Sequence, residues 1–324
     1  MNSQVLYRQL VWVLSVLVSG CSSSNSVPNR AESYPIRIAV TVGMVADLVR
    51  DIGGDEVDVT QLMDAGVDPH LFTPSRDDSK AIMQADMTFY CGLMLEGKMS
   101  QTLQQASQRH RTVAVGEGLP PEAIAHDEGA SEHLDPHVWM DVSLWAQATQ
   151  VIANALGEFD PTNAERYQLR AIELRRKLEK LHVYGQEVIG CIPQRSRLLV
   201  TSHDAFRYFG RAYGIEVQAI QGISTESEAG LKRINELVNM LVDRRVAAVF
   251  VESSVPRESI EALVRGAAAK GHTVRIADSL FSDAMGSRGT YEGTYIGMMD
   301  HNLTSIARAL GCPSVPENGF RDVQ

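Results

Sequence analysis

Positive charge is in short supply in this chain: 30 Lys and Arg face 40 Asp and Glu, a formal net charge of −10 at pH 7. Neutralising a phosphate backbone needs a basic surface, so the balance argues against a nucleic-acid partner. Cysteine is scarce as well, four in 324 residues. None stands in a Cys-x-x-Cys pair, which disfavours a thiolate metal site and thioredoxin chemistry. Neither His-Glu-x-x-His nor Gly-x-Ser-x-Gly occurs, so two common hydrolase signatures are missing. The apolar run from Leu10 to Val18, broken by Ser15, is too short to cross a bilayer.

That run still carries information. Arg8 precedes it as a short positive region, the pattern of a secretory signal. It ends in Val18-Ser19-Gly20-Cys21, which resembles a bacterial lipobox. The resemblance implies a signal peptide over 1–20 and a lipid on Cys21, and several acyl chains on one residue anchor stably. The Ser-, Asn- and Pro-rich stretch that follows reads as a flexible tether over 21–34.

Hydrophobic residues make up 44% of the chain, enough for two domain cores. Apolar, strand-like runs at 36–42, 57–63, 87–91 and 112–115 alternate with helical patterns at 44–52, 75–85 and 97–105, followed by a helix over 142–156. The alternation implies a parallel sheet covered by helices, and unbroken apolar strands suit burial on both faces. Asp160 as N-cap and Pro161 at the first helical position would open a long helix. Tyr167, Ala171, Leu174, Leu178 and Leu181 place one apolar stripe along it. At roughly 29 residues it would span on the order of 43 Å, the length of a strut between domains. Strand candidates then resume at 197–201, 216–220, 247–252 and 273–277, with helices at 205–213, 227–243, 256–269 and 294–310. The expected fold is α/β: two Rossmann-like lobes over 35–160 and 190–312, each a parallel sheet flanked by helices. One long rigid linker helix over 161–189 joins them, and a tail occupies 313–324. Cys91 reads as a buried thiol; Cys191 and Cys312 would pair in an oxidising compartment if their backbones lie within range.

The chemistry concentrates in four polar islands. Asp-Pro-His occurs twice, as Asp68-Pro69-His70 and Asp135-Pro136-His137, and is followed by Ser202-His203-Asp204 and Ser282-Asp283-Ala284. Proline fixes φ and restrains its predecessor, so each repeated imidazole leaves a stiff loop in a set direction. Asp68 and Asp135 are placed either to accept a hydrogen bond from the imidazole or to cap a turn. His70 and His203 follow strand-like runs, where ligands of open α/β sheets bind. We therefore expect His70, His137, His203 and Asp283 to converge on one divalent transition-metal ion. Three imidazoles and a carboxylate suit Zn, Mn, Fe, Co, Ni or Cu rather than Mg or Ca. Four protein ligands would close the shell, and a bidentate Asp283 would make it five-coordinate, which suits Mn better.

These islands, with 134–139, 201–206, 280–286 and 293–302 around them, resemble the zinc/manganese-binding solute receptors of bacterial ABC transporters, the cluster A-I lipoproteins. The resemblance runs from the lipobox to the final helix. It implies two lobes joined by one long helix, an ion held between them by His70, His137, His203 and Asp283, and no catalysis. It further implies an extracytoplasmic monomer, lipid-anchored to a bacterial membrane, that delivers Zn(II) or Mn(II) to an ABC permease with its cytoplasmic ATPase, Fe(II) being admissible. Many manganese receptors of that family have Glu where this chain has His203, and more imidazole favours zinc. Dedicated zinc receptors often have a long His- and acid-rich loop, reduced here to 126–133. The competing reading is a secreted metal-dependent hydrolase with an open coordination position and Asp204 or Glu252 as general base. Cell adhesion is compatible with either and leaves no motif.

Overall fold

The computed structural model describes residues 34–126, 134–227 and 230–323. The expected signal peptide, nearly all of the tether, Cys21 and most of the 126–133 loop lie outside the described residues.

The first lobe is built on four parallel strands: β1 (Ile36–Val40), β2 (Val57–Gln61), β3 (Met87–Tyr90) and β4 (Arg111–Ala114), in the spatial order β2-β1-β3-β4. β1 lies inside the sheet, and Ile36, Ile38, Ala39 and Val40 are all buried. Helices α1 (Gly43–Gly53), α2 (Arg76–Gln84), α3 (Ser100–Ser107) and α4 (Val142–Phe159) cover it. A capping box, Ser75 with Asp78, starts α2.

In the second lobe β5 (Leu198–Thr201) pairs with β6 (Glu216–Ala219), and β7 (Ala248–Val249) pairs with β8 (Arg275–Ile276), all parallel. The Phe250 amide donates to the Val200 carbonyl at 2.9 Å and joins the two pairs edge to edge. The resulting order, β6-β5-β7-β8, repeats the pattern of the first lobe. β7 and β8 are shorter than the expected 247–252 and 273–277. Backbone bonds continue beyond them, Ala277 to Val249 and Leu280 to Val251, so the ladder runs out of register rather than ends. Helices α6 (Arg207–Tyr213), α7 (Leu231–Asp243), α8 (Glu258–Ala269) and α9 (Tyr295–Ala309) complete the lobe; α5 (Ala164–Gly190) lies between the two.

The strut begins three residues later than expected. Asp160 does not cap it: its carboxylate accepts from the Tyr34 hydroxyl (2.7 Å), Asn163 Nδ2 (2.8 Å) and the Tyr167 hydroxyl (2.9 Å). Those partners draw it under the end of α4, leaving 161–163 as a turn. The 27 residues of α5 span about 40 Å. The stripe Tyr167, Ala171, Leu174, Leu178 and Leu181 is buried as the periodicity requires, against α1 and α4 of the first lobe and α6 and α9 of the second. Cys191, just past its end, is disulfide-bonded to Cys312, their Cα atoms 5.2 Å apart.

Two separate lobe cores are not what forms. One continuous apolar core takes in the first lobe, α5, and Phe206, Phe209, Phe250, Leu280, Tyr295 and Leu303 of the second. A smaller core lies on the far face, around Leu198, Val200, Leu237, Val249 and Leu263. The alternation along β5 explains the split, because Leu198 and Val200 point to the small core and Leu199 to the large one. The terminal segment is also docked, with Phe320 2% exposed and its ring 5.5 Å from that of Tyr184.

Candidate metal centre

Both sheets reverse strand order between their central strands, β1/β3 and β5/β7, and the polar islands gather at the carboxyl ends of those strands, where open α/β sheets form their crevice. The two Asp-Pro-His loops fold the same way locally. Asp68 Oδ1 accepts the His70 amide at 2.8 Å, and Asp135 Oδ1 accepts the His137 amide at 3.0 Å. Each carboxylate thus closes a turn over its proline.

They differ at the ring. Asp135 Oδ1 also lies 2.8 Å from His137 Nδ1. Asp68 leaves the His70 ring alone, and its second oxygen accepts from Thr225 Oγ1, across the cleft, at 2.6 Å. His203 lies two residues past β5, where Glu252 Oε1 accepts the amides of Ser202 (2.7 Å) and His203 (2.9 Å) while Oε2 stands 2.6 Å from His203 Nδ1. The Asp283 loop is clamped by Asn302, which accepts from the Phe281 amide (2.9 Å) and donates to the Phe281 carbonyl (2.7 Å). Trp139 Nε1 donates to the Ser282 carbonyl at 2.9 Å, tying the His137 turn of one lobe to the Asp283 loop of the other.

The result is a cluster in which one donor atom from each of His70, His137, His203 and Asp283 lies within 4.8 Å of the others. His70 Nε2 is 3.4 Å from His137 Nε2; Asp283 Oδ1 is 3.3 Å from His137 Nε2; Asp283 Oδ2 is 3.1 Å from His203 Nε2. All four side chains are buried, His70 being the most accessible at 6%. The two imidazole contacts of Asp283 lack hydrogen-bond geometry, and among the described residues neither of its oxygens nor His203 Nε2 has a hydrogen-bond partner. A buried carboxylate without hydrogen bonds is costly unless positive charge lies beside it, so the centre fits a cation.

The protonation balance agrees. Burial alone would depress His137, but its contacts with Asp135 and Asp283 outweigh it and push the ring up to about 9. Burial also acts against the charged form of His203, and Asp283 and Glu252 overcome it. Burial dominates at His70, which falls to about 4. Burial opposes ionisation of Asp283, yet His203 and His137 hold it well below the usual carboxylate range. Positive charge belongs at this centre, and a divalent ion would displace protons to enter.

The neighbouring residues sort clearly. Glu252, a candidate general base from sequence, gives one oxygen to two amides and sets the other 2.6 Å from His203 Nδ1 as an ion-pair contact, which places it to orient His203. Asp204 lies 3.9 Å from Arg207 on the surface side. Cys91 is a buried thiol that burial pushes well above its ordinary range, its sulfur 3.7 Å from the Pro136 carbonyl. His110, His182, His272 and His301 bond elsewhere, to Thr88, Gln186 and the Val246 and Ser279 carbonyls. Met44, Met140, Met285, Met298 and Met299 are core residues. Sequence reasoning missed Glu252 as an orienting group, although its place beyond a central strand beside β5 was a usable signal. Glu96 was missed outright: fully enclosed, it accepts from Thr41 Oγ1 (2.7 Å) and the Cys91 (2.8 Å) and Gly92 (3.1 Å) amides. It folds a turn in which Leu93 (φ 54°) and Met94 (φ 67°) are both left-handed.

Residues 38–309 match the family model described as ZnuA, the periplasmic component A of the zinc-uptake complex. The chain is 42% identical over 293 residues to the manganese-binding lipoprotein MntA of Bacillus subtilis, covering 90% of this chain and 95% of that one. It is 31% identical over 309 residues to the manganese ABC transporter substrate-binding lipoprotein PsaA of Streptococcus mitis, covering 93% and 97%. The solved periplasmic zinc-binding protein TroA of Treponema pallidum superposes with a TM-score of 0.83 at 40% identity, over 86% of this chain and all of that one. The hydrolase reading finds no support. The chain belongs to the ZnuA family, and is an extracytoplasmic metal-binding receptor of an ABC importer rather than an enzyme.

Proposed function

We propose that His70, His137, His203 and Asp283 together hold one divalent Zn or Mn ion as cargo between a lobe over 35–160 and a lobe over 190–312, joined by α5. The observation that carries this reading is the buried Asp283 carboxylate, whose oxygens have no hydrogen-bond partner among the described residues and face imidazole nitrogens from both lobes. Asp135 and Glu252 hold the outer nitrogens of His137 and His203, an arrangement that fixes the tautomer with Nε2 free for an ion. Three imidazoles favour zinc over manganese on ligand softness; relatives named for each metal support keeping both as cargo. Four protein donors leave no position for a reactive water, as befits a carrier.

The continuous core beneath the site favours release by small displacements. Moving Asp283 and His203 slightly from His70 and His137 breaks a four-donor shell without exposing apolar surface. The receptor would work as a monomer on a lipid at Cys21, handing the ion to a permease driven by a cytoplasmic ATPase. Competitive titration of metal-free protein with Zn(II), Mn(II) and Fe(II) tests the site: one ion per chain, with Zn(II) not displaced by Mn(II), is expected. Comparable Mn(II) binding would assign mixed duty, and no binding of any of the three would overturn the four-ligand reading.

A further inference from the structure

The three imidazoles are held unequally. His137 and His203 each have a carboxylate at the outer ring nitrogen, 2.8 and 2.6 Å away, and are wholly buried. The His70 ring has no such partner among the described residues; its position is set through its backbone, by the hydrogen bond its amide donates to the Asp68 carboxylate. His70 is also the one member of the cluster that lines a surface cavity of about 200 Å³, walled by Leu93, Met94, Pro136 and Ile223. A larger cavity of about 640 Å³ beside α6 and β6 touches none of the four. This cavity opens the centre on the His70 side.

Between Ser224 and Glu226 of that cavity's wall the second lobe supplies Thr225, whose hydroxyl donates to the second oxygen of Asp68 at 2.6 Å. An adjacent pair, Lys98 and Glu226, spans the same gap at 3.7 Å with both side chains well exposed. The chain of bonds therefore runs Thr225 hydroxyl, Asp68 carboxylate, His70 amide, and crosses from one lobe to the other on the way. We infer that Thr225 is a positioning residue for His70, and that its bond to Asp68 sets the rate at which the ion leaves through the His70 side. The inference rests on the four-ligand reading above and adds to it the ligand that yields first and the group that restrains it. When the lobes shift, this bond is stretched, Asp68 is released to rotate towards solvent, and the His70 turn loses its clamp while His137 and His203 keep theirs.

The test is the dissociation rate of Zn(II) from the full chain, followed by stopped flow into excess chelator. A hydrogen bond to a charged acceptor is worth about tenfold or more in an equilibrium or rate. Thr225→Val, which keeps the shape and loses the donor, is expected to release zinc about tenfold faster with an unchanged association rate and a thermal midpoint lowered by no more than a few degrees. Thr225→Ser, which keeps the hydroxyl, is expected to restore the slow release. Lys98→Met is expected to leave it unchanged, because an exposed pair contributes little. Release from Thr225→Val within twofold of wild type overturns the inference while zinc binding itself stands. Equally fast release from the Ser variant or from Lys98→Met also overturns it, pointing to methyl packing or to general contact between the lobes. A wild-type chain that takes up no zinc overturns both this inference and the reading it rests on.

Discussion

Glu252→Gln isolates the orienting role of an outer carboxylate from its structural one. Glu252 is 4% exposed and has two duties: Oε1 accepts two amides, and Oε2 faces the outer nitrogen of His203. A glutamine keeps its oxygen on the two amides, because reversing the side chain would set its NH2 against both donors. The NH2 then faces His203 Nδ1, and the imidazole must place its proton on Nε2, the nitrogen needed for the ion. Loss of such an outer partner costs about 10–100-fold in metal affinity. The fold should suffer little, about 1 kcal/mol, since the two amide bonds survive. The assay is zinc affinity by chelator competition, with the thermal midpoint of the metal-free protein in parallel. The expected result is a 10–100-fold weaker Kd with a midpoint shifted by no more than a few degrees. An unchanged Kd with an intact fold would refute the claim that Glu252 sets the tautomer of His203.

Other predictions follow from the same geometry. His203→Ala should weaken zinc binding by at least about 100-fold, more than loss of an outer partner, and should abolish the thermal stabilisation that zinc gives a native-state binder; unchanged binding in calorimetry would remove His203 from the site. Asp47 is pushed up to about 6, burial outweighing the bond it accepts from the Tyr295 amide. Because its folded value lies above its unfolded one, it destabilises the protein above pH 6, and that cost fades as pH falls from 6 towards 4. Asp47→Asn should therefore raise stability at pH 7.5 by about 1–2 kcal/mol, discounted for partial exposure and proximity to the start of α9. The gap from wild type should close by pH 4; a gap independent of pH would contradict this. Replacing Cys191 and Cys312 by Ser opens a loop with a sequence separation of 121 and should cost about 2–4 kcal/mol in denaturant unfolding.

The α/β alternation was legible in the sequence, and the four residues proposed as ligands could be singled out there, for a local reason. Proline-stiffened Asp-Pro-His turns and apolar runs ending in polar islands are properties of short segments. Features decided by distant partners were not legible. Asp160 has the chemistry of an N-cap, yet Tyr34, from the far end of the lobe, joins Asn163 and Tyr167 in claiming its carboxylate. Asp68 and Asp135 sit in identical tripeptides, and only the fold reveals that one reaches its imidazole and the other reaches Thr225. The shared core was hidden because an apolar stripe on α5 does not say which lobe will cover it. β7 and β8 are short because the ladder beyond them runs out of register, Ala277 bonding to Val249 and Leu280 to Val251, which β-branched composition does not encode.

X-ray absorption at the zinc edge of the zinc-loaded protein tests the central claim most directly. Three imidazoles and Asp283 predict a shell of nitrogen and oxygen alone, at about 2.0–2.2 Å, with the multiple scattering of three imidazole rings. A sulfur neighbour at about 2.3 Å, or fewer than three imidazoles, would contradict the assignment of His70, His137, His203 and Asp283 as the ligand set.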